Sequence, residues 1–382
     1  MYTPFIIRAG VTHTSNGVTI TQTTATRQTI SGLPDQPTGL VMLAVCADAL
    51  NGPDSGEWQS VGIGVSDFTN QYCHALATST NGSSIFASHF AAADPTPTDG
   101  AVAAWDYGSL TAARAQAKIV AATSDGFTLD YYDADGDALT APAEEFCLLC
   151  IPIFFETAVA VRFADLSSAG TFNESASLPE ANRAGIFGLS DSALNAWDGD
   201  GPFSLGLVLG ATFQRSINIQ VNTSSDDISV QFMAAFGSGE IRDAGTSTSR
   251  TVDIEISSTQ VTAVNTVTST VRSPGLIGLV WSTAQSMAAV DFDTPTSTGA
   301  ANIASGLGFD PDWHIGVLTG RTANDTGPAL ADGLLGMFAS GPNGGAAVTY
   351  GMAGSGTGTV AHRTYAREGG AALTTGSGGQ LL

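Results

Sequence analysis

The sequence predicts an all-β protein built from tandem antiparallel β-sandwich or jelly-roll-like domains. Strand-like alternation of apolar and polar residues recurs roughly every 8–14 residues, with Gly, Asp, Asn, Ser and Thr between the strands. Pairs such as Asn81-Gly82, Asp135-Gly136 and Asn343-Gly344 are typical of hairpin turns. The best helix candidate, 110–121, contains Ile119-Val120, and β-branched residues disfavour a helix. Many short strands with hairpin turns indicate sandwiches.

The chain repeats itself at a nearly constant spacing. Val161-Arg162-Phe163 matches Val290-Asp291-Phe292, and Leu178-Pro179 matches Leu307-Gly308, both at an offset of 129 residues. An earlier copy, with Leu33-Pro34, matches the middle copy at an offset of 145 residues. Several matches at constant offset predict three copies of one structural unit.

The third copy ends before the other two do. We expect a first repeat over 1–158 that includes an N-terminal anchor segment, a second over 159–286, and a shortened third over 287–382. The missing part corresponds to two strands. The third copy is therefore either a smaller sandwich or one that strands of a neighbouring chain complete.

Charge and composition exclude several classes of function. The 382-residue chain has 13 Lys and Arg against 35 Asp and Glu, a net charge of −22, and Lys118 is its single lysine. Because no basic patch is available to hold phosphates, we expect no nucleic-acid partner. The longest apolar run, 146–155, is too short to span a bilayer, and no secretory signal is evident, so we expect no membrane insertion.

One acidic segment resembles a calcium loop. Asp133, Asp135, Asp137 and Glu144 occupy positions 1, 3, 5 and 12 of the EF-hand template, but Ala138 stands where the template has glycine. A solvated acidic hairpin is the favoured interpretation, with calcium as the alternative. We expect no other cofactor.

The cysteines, histidines and serines give no catalytic motif. Cys147 and Cys150 have the spacing of a zinc knuckle, but they lie in an apolar strand, where a separation of three places their side chains on opposite faces. Buried core cysteines are the favoured interpretation. No histidines pair at ligand spacing, and neither a serine nucleophile elbow nor a phosphate-binding loop is present. The sequence therefore favours a protein that is not an enzyme.

Two features predict surface contacts. Trp105 and Trp197 stand beside turn-forming residues, where an exposed indole contacts a partner or a sugar. Phe5, Ile6 and Ile7 form a short apolar patch near the N-terminus, and an exposed patch of this kind requires a partner. We predict that it anchors the chain in an assembly.

A short motif adds a resemblance to a known class of proteins. Gly306-Leu307-Gly308-Phe309-Asp310-Pro311-Asp312, followed by an apolar strand, a polar gap and a Gly-apolar-Gly strand, resembles the sandwich repeats of tailed-bacteriophage virion proteins. The resemblance implies a non-enzymatic structural protein on the virion surface, made in the host cytoplasm without a signal peptide. Its expected place is the tail, baseplate or fibre, in assembly or host attachment.

The same resemblance implies partners and alternatives. The expected partners are other virion proteins and further copies of the chain, with a homotrimer favoured by analogy, and a host-surface glycan. One alternative function is capsid decoration or a head spike. The other is a carbohydrate-binding adhesin or a polysaccharide hydrolase, since acidic residues that could form a catalytic pair are numerous.

Overall fold

The fold is all-β, as predicted from the sequence. The computed structural model describes residues 3–46, 53–54, 58–79, 86–92, 103–105, 115–132, 146–190, 197–199, 203–211, 213–222, 227–233, 240–242, 249–266, 275–291, 307–319, 332–341, 344–354, 360–368, 375–376 and 380–381. No helix occurs within these ranges, and every strand pair in them is antiparallel. The segment considered as a helix contains the start of a strand instead, Ala115–Thr123.

The first sandwich consists of two facing sheets. Its strands are β1 (Phe5–Arg8), β2 (His13–Ser15), β3 (Val18–Thr24), β4 (Arg27–Ser31), β5 (Gly39–Cys46), β6 (Pro53–Asp54), β7 (Trp58–Ser66), β8 (Gln71–Ser79), β9 (Phe86–Ala92), β10 (Ala103–Trp105), β11 (Ala115–Thr123), β12 (Gly126–Tyr132) and β13 (Phe146–Ile153). The first inner sheet has the order β1-β13-β5-β7-β8-β9, and the first outer sheet has the order β10-β11-β12-β4-β3-β2.

The second sandwich repeats the strand order of the first inner sheet, but its described outer sheet has four strands where the first has six. Its strands are β14 (Thr157–Phe163), β15 (Gly170–Ser175), β16 (Asn182–Ser190), β17 (Trp197–Gly199), β18 (Phe203–Leu209), β19 (Phe213–Asn222), β20 (Asp227–Met233), β21 (Glu240–Arg242), β22 (Ser249–Ile256), β23 (Gln260–Asn265) and β24 (Gly275–Thr283). The second inner sheet is β14-β24-β16-β18-β19-β20, and the second outer sheet is β15-β23-β22-β21. Repetition of the sequence itself stays a prediction.

The rest of the described chain forms one further large sheet. Its strands are β25 (His314–Thr319), β26 (Asp332–Gly341), β27 (Gly344–Gly354) and β28 (Val360–Glu368), followed by a separate hairpin of β29 (Thr375–Gly376) and β30 (Gln380–Leu381). The third inner sheet is β25-β26-β27-β28. Within the described ranges no outer sheet faces it, and its outward cluster contains only Phe338 and Ala347. Ala347 is nevertheless fully buried within the single chain.

Two short strands cross between these units. β6, from the connection between β5 and β7, pairs with β28 at the edge of the third inner sheet. β17, from the connection between β16 and β18, pairs with β9 at the edge of the first inner sheet. A strand of one unit therefore extends a sheet of another at two edges, and the predicted domain boundaries stay a prediction.

One apolar core joins all three inner sheets. It contains Val41 and Ile63 of the first, Ile186 and Leu279 of the second, and Val348 of the third, all 0% exposed. Two further cores fill the sandwiches, one between the first inner and outer sheets and one between the second pair. We call the core that joins the three inner sheets the shared core. Burial on this scale is the main term that stabilises a fold.

Strand β13 illustrates how the sequence produces this layering. Residues at alternate positions face the shared core, as Cys147 and Leu149 do, while Leu148 and Cys150 face the core of the first sandwich. A strand buried on both faces must be apolar throughout, which explains the long run at 146–155. The two cysteines are fully buried on opposite faces, as predicted. Burial also raises the pKa of the Cys150 thiol well above its usual range.

The N-terminal patch is not exposed, so the predicted assembly anchor is wrong. Phe5, Ile6 and Ile7 are each 0% exposed and form β1, which pairs with β13. Ile6 faces the shared core, and its amide donates to Ser15 Oγ at 2.7 Å. The sequence shows an apolar patch, but it does not show which strand pairs with it.

A glutamine fastens the inner to the outer sheet in both sandwiches. The side-chain amide of Gln71 accepts from the Ile119 amide at 2.9 Å and donates to the Ile119 carbonyl at 3.1 Å. Gln214 makes the same two bonds to Ile254, at 3.0 and 2.8 Å. The side-chain amide of each glutamine thus pairs as the peptide group of a neighbouring strand would. It satisfies the backbone amide and carbonyl of one outer-sheet residue, Ile119 or Ile254. We call this contact the glutamine clamp.

Candidate docking surface

The three inner sheets end together at one side of the molecule. We call this side the hairpin end, because β7 joins β8, β18 joins β19 and β26 joins β27 there. Three aromatic rings meet at this end of the shared core. Phe155 lies 5.5 Å from Trp313 and 6.2 Å from Trp281, and the two indoles are 6.4 Å apart, measured between ring centroids. Such offset and tilted aromatic packing holds the three sheet ends in a fixed geometry.

A shallow apolar depression opens beside this aromatic cluster. Its lining includes Pro4, Pro152, Phe155, Trp313 and His314. Phe155 is 3% exposed and Trp313 is half-buried, so part of one indole faces the solvent. The depression suits one small apolar group of a partner better than a substrate, because it is shallow and carries few polar atoms.

The one polar contact described in the depression joins His314 and Ser340. His314 Nδ1 lies 2.8 Å from Ser340 Oγ, and the two residues face each other across β25 and β26. Both lie at strand ends that their backbone pairing fixes. The contact is a cross-strand hydrogen bond that also orients the imidazole at the rim.

Carboxylates surround the hairpin end. Each inner sheet has a connection that leads into one of its strands there, and each connection carries acidic groups. These are Asp35 before β5, Glu180 before β16, and Asp310 and Asp312 before β25. Asp35, Asp310 and Asp312 are exposed and Glu180 is half-buried. The surface is therefore apolar at its centre with four carboxylates on the connections, and the cation beside the second of these connections, Arg183 of β16, donates its Nε to the Leu178 carbonyl at 3.0 Å.

The first two of these connections are held in the same way. The Leu33 amide donates to the Asp125 carbonyl at 2.9 Å, and the Leu178 amide donates to the Ser258 carbonyl at 2.8 Å. Both acceptors lie in the hairpin turn of an outer sheet. These hydrogen bonds fix the two connections just before the carboxylates of Asp35 and Glu180.

The tryptophans predicted to make surface contacts lie on separate short strands. Trp197 is on β17, opposite His89 of β9, and Trp105 is on β10, opposite Ala115 of β11. The side chains of both tryptophans fall outside the described residues. A contact role for either stays a prediction.

The calcium candidates Asp133, Asp135, Asp137 and Glu144 also lie outside the described residues. In the part of the chain that the structure describes, no three metal-ligating side chains come together. The same part contains no helix of the length and apolarity needed to cross a membrane.

Sequence reasoning missed the central residues of this surface. In the sequence Phe155 ends an apolar run, and His314 and Ser340 carry no motif. Trp313 is one of five tryptophans, and nothing in the sequence places it beside Trp281. Their proximity depends on three sheets meeting, which local patterns do not encode.

No protein-family model matches the chain, and no curated protein matches it. The function therefore has to be argued from the surfaces described above.

Proposed function

We propose that the chain is a non-enzymatic structural protein on the virion surface of a tailed phage, as a tail, baseplate or fibre component in assembly or host attachment. The single observation that supports this most is the shared core. Three sheets packed on one apolar interior, with strands exchanged between units, form a rigid body suited to holding partners at fixed positions.

The electrostatics of the chain support the same proposal. The single lysine is buried, 3% exposed, and its ammonium lies 4.6 Å from the centre of the Tyr132 ring. Arg27 and Arg215 are paired with Asp130 and Asp291. Lys118, Arg27 and Arg215 thus each have an aromatic or acidic partner within the chain, and the net charge of −22 favours solubility and selects basic protein partners.

Purified particles of the phage that encodes the chain test this proposal. Particles are banded on a caesium chloride gradient, their proteins are quantified by mass spectrometry, and an antibody against the chain is located by immunogold electron microscopy. We expect a constant copy number per particle and gold at the tail. A chain that is abundant in the lysate but absent from the particles would overturn the proposal.

The same preparation separates the alternatives. Gold confined to the head would replace the tail assignment with capsid decoration. Incubation of the purified chain with host-envelope polysaccharide is expected to release no reducing sugar, and catalytic release would replace the structural role with a hydrolase. Saturable glycan binding lost on Trp105→Ala or Trp197→Ala would support an adhesin.

A further inference from the structure

The three units contact one another in a cyclic order. From the first unit, Asp67 Oδ2 accepts from the Ala160 amide of the second at 3.1 Å. From the second, Arg215 forms an ion pair with Asp291, at the entry to the third, at 2.6 Å. From the third, the Gly345 carbonyl accepts from Asn16 Nδ2 of the first at 3.1 Å. Each contact starts beside a hairpin of an inner sheet.

Two of these interfaces use corresponding positions. Gln71 and Gln214 both make the glutamine clamp, which aligns the residues that follow them, Tyr72 and Arg215. Arg162 lies 5.6 Å from the Tyr72 ring, and Arg215 pairs with Asp291, which is 129 positions beyond Arg162. The residue types differ while the positions agree. Head-to-tail contacts through the same positions form a ring when the rotation between units closes, and the contact of the third unit back to the first closes it here.

The crossing strands follow a cyclic order as well. β6, from the first unit, extends the third inner sheet, and β17, from the corresponding connection of the second unit, extends the first inner sheet. In both cases each unit supplies a strand to the unit before it in the ring. The polar contacts and the exchanged strands thus both indicate that the three units are arranged around one axis.

At the hairpin end, this ring presents a negative group from each unit. Asp35, Glu180 and Asp310 occupy the connections into β5, β16 and β25, at the end of the shared core where Phe155 of the first unit, Trp281 of the second and Trp313 of the third pack together. A partner that matches this surface must carry cations at three places around an apolar tip. A threefold-symmetric protein supplies such a set with a single kind of subunit.

We propose that the hairpin end is the docking surface for a threefold-symmetric partner protein that presents arginine or lysine side chains around an apolar tip. This inference rests on the proposed function, in which the partner is another virion protein. The docking is electrostatic at the rim and apolar at the centre.

Incorporation of variants into particles tests the inference. The gene is deleted from the phage, the full chain is supplied from a plasmid, and its copies per particle are counted by mass spectrometry. The hairpin variant carries Asp35→Asn, Glu180→Gln and Asp310→Asn. A matched control removes three charges elsewhere through Asp165→Asn, Glu174→Gln and Glu255→Gln.

We expect wild-type incorporation for the control and a loss for the hairpin variant. If each charge contributes about threefold to binding, as exposed ion pairs do, the triple substitution weakens docking about thirtyfold. Each of its single substitutions is expected to cost a similar threefold. Melting temperatures of the purified variants confirm that each is folded before it is scored.

The outcomes separate this inference from the proposed function. Absence of the wild-type chain from particles overturns the proposed function. Normal incorporation of the wild type and of the hairpin variant overturns the docking surface alone. An equal loss in the control also overturns it, and a loss caused by a single one of the three positions overturns the threefold partner.

Discussion

The glutamine clamp predicts a specific loss of stability. Gln214→Met keeps the length of the side chain but removes both hydrogen bonds to Ile254, whose amide and carbonyl it now satisfies at 3.0 and 2.8 Å. Ile254 is fully buried. Leaving a buried donor and acceptor unsatisfied costs about 1–3 kcal/mol each, and part of this is recovered by local rearrangement, so we expect a loss of about 3 kcal/mol.

The size of the change in melting temperature also reports on the shared core. Unfolding entropy is about 2.1 cal/mol/K per residue, or about 0.8 kcal/mol/K for a chain of this length. If the three units unfold together, 3 kcal/mol lowers the melting temperature by about 4 °C. If the second sandwich unfolds alone, with about 130 residues, the fall is about 11 °C. The shared core predicts the smaller value in a single transition.

Differential scanning calorimetry of wild type, Gln214→Met and Gln71→Met measures this effect. The control is Gln260→Met, which changes an exposed glutamine whose amide contacts Thr262. We expect both clamp variants to be destabilised and the control to stay within about 0.5 kcal/mol of wild type. Clamp variants no less stable than the control, or two separate transitions in the wild type, would refute the reasoning.

Three more perturbations test particular contacts. In Gly188→Ala the new Cβ would lie 2.4 Å from Ile63 Cγ2, between the first and second inner sheets. Urea unfolding should therefore show a loss of about 1–3 kcal/mol in the free energy of unfolding. An unchanged urea midpoint would contradict this packing. A double-mutant cycle of Arg215→Met and Asp291→Asn should give a coupling of about 0.5–1 kcal/mol that shrinks in about 1 M NaCl, and a salt-independent coupling would argue against the ion pair. Burial raises the pKa of Asp253 above its ordinary 3.8, so the folded state binds this proton more tightly than the unfolded chain, and stability falls as pH rises from 3.8 through the folded-state pKa. Asp253→Asn should therefore raise the melting temperature near neutral pH and leave it unchanged below 3.8. A lowered melting temperature near neutral pH would contradict this reasoning.

Local pattern was enough to predict the class of fold. Alternation and hairpin pairs predicted an all-β chain, and the segment 252–256, in which apolar and polar residues alternate, lies within β22. The spacing of Cys147 and Cys150 predicted opposite faces because the side-chain period of a strand is two. These properties depend on residues that are near in sequence.

Properties that depend on distant pairing were not predictable in this way. Phe5–Ile7 looked like an exposed anchor because nothing in the sequence shows its pairing with β13. The meeting of Phe155, Trp281 and Trp313 depends on three sheets sharing a core. Likewise Gln71 and Gln214 carry no motif, and their common role is visible only once both outer sheets are in place.

An electron-microscopy map of the particle tests the central claim most directly. Under the proposed function, a reconstruction of the virion that carries the chain, at a resolution that separates the three inner sheets, would place the chain and its orientation. We predict density for the chain on the virion surface, with the hairpin end against a threefold-symmetric neighbour and Asp35, Glu180 and Asp310 facing its cations. A particle without this density, or one in which the hairpin end faces solvent, would contradict the account.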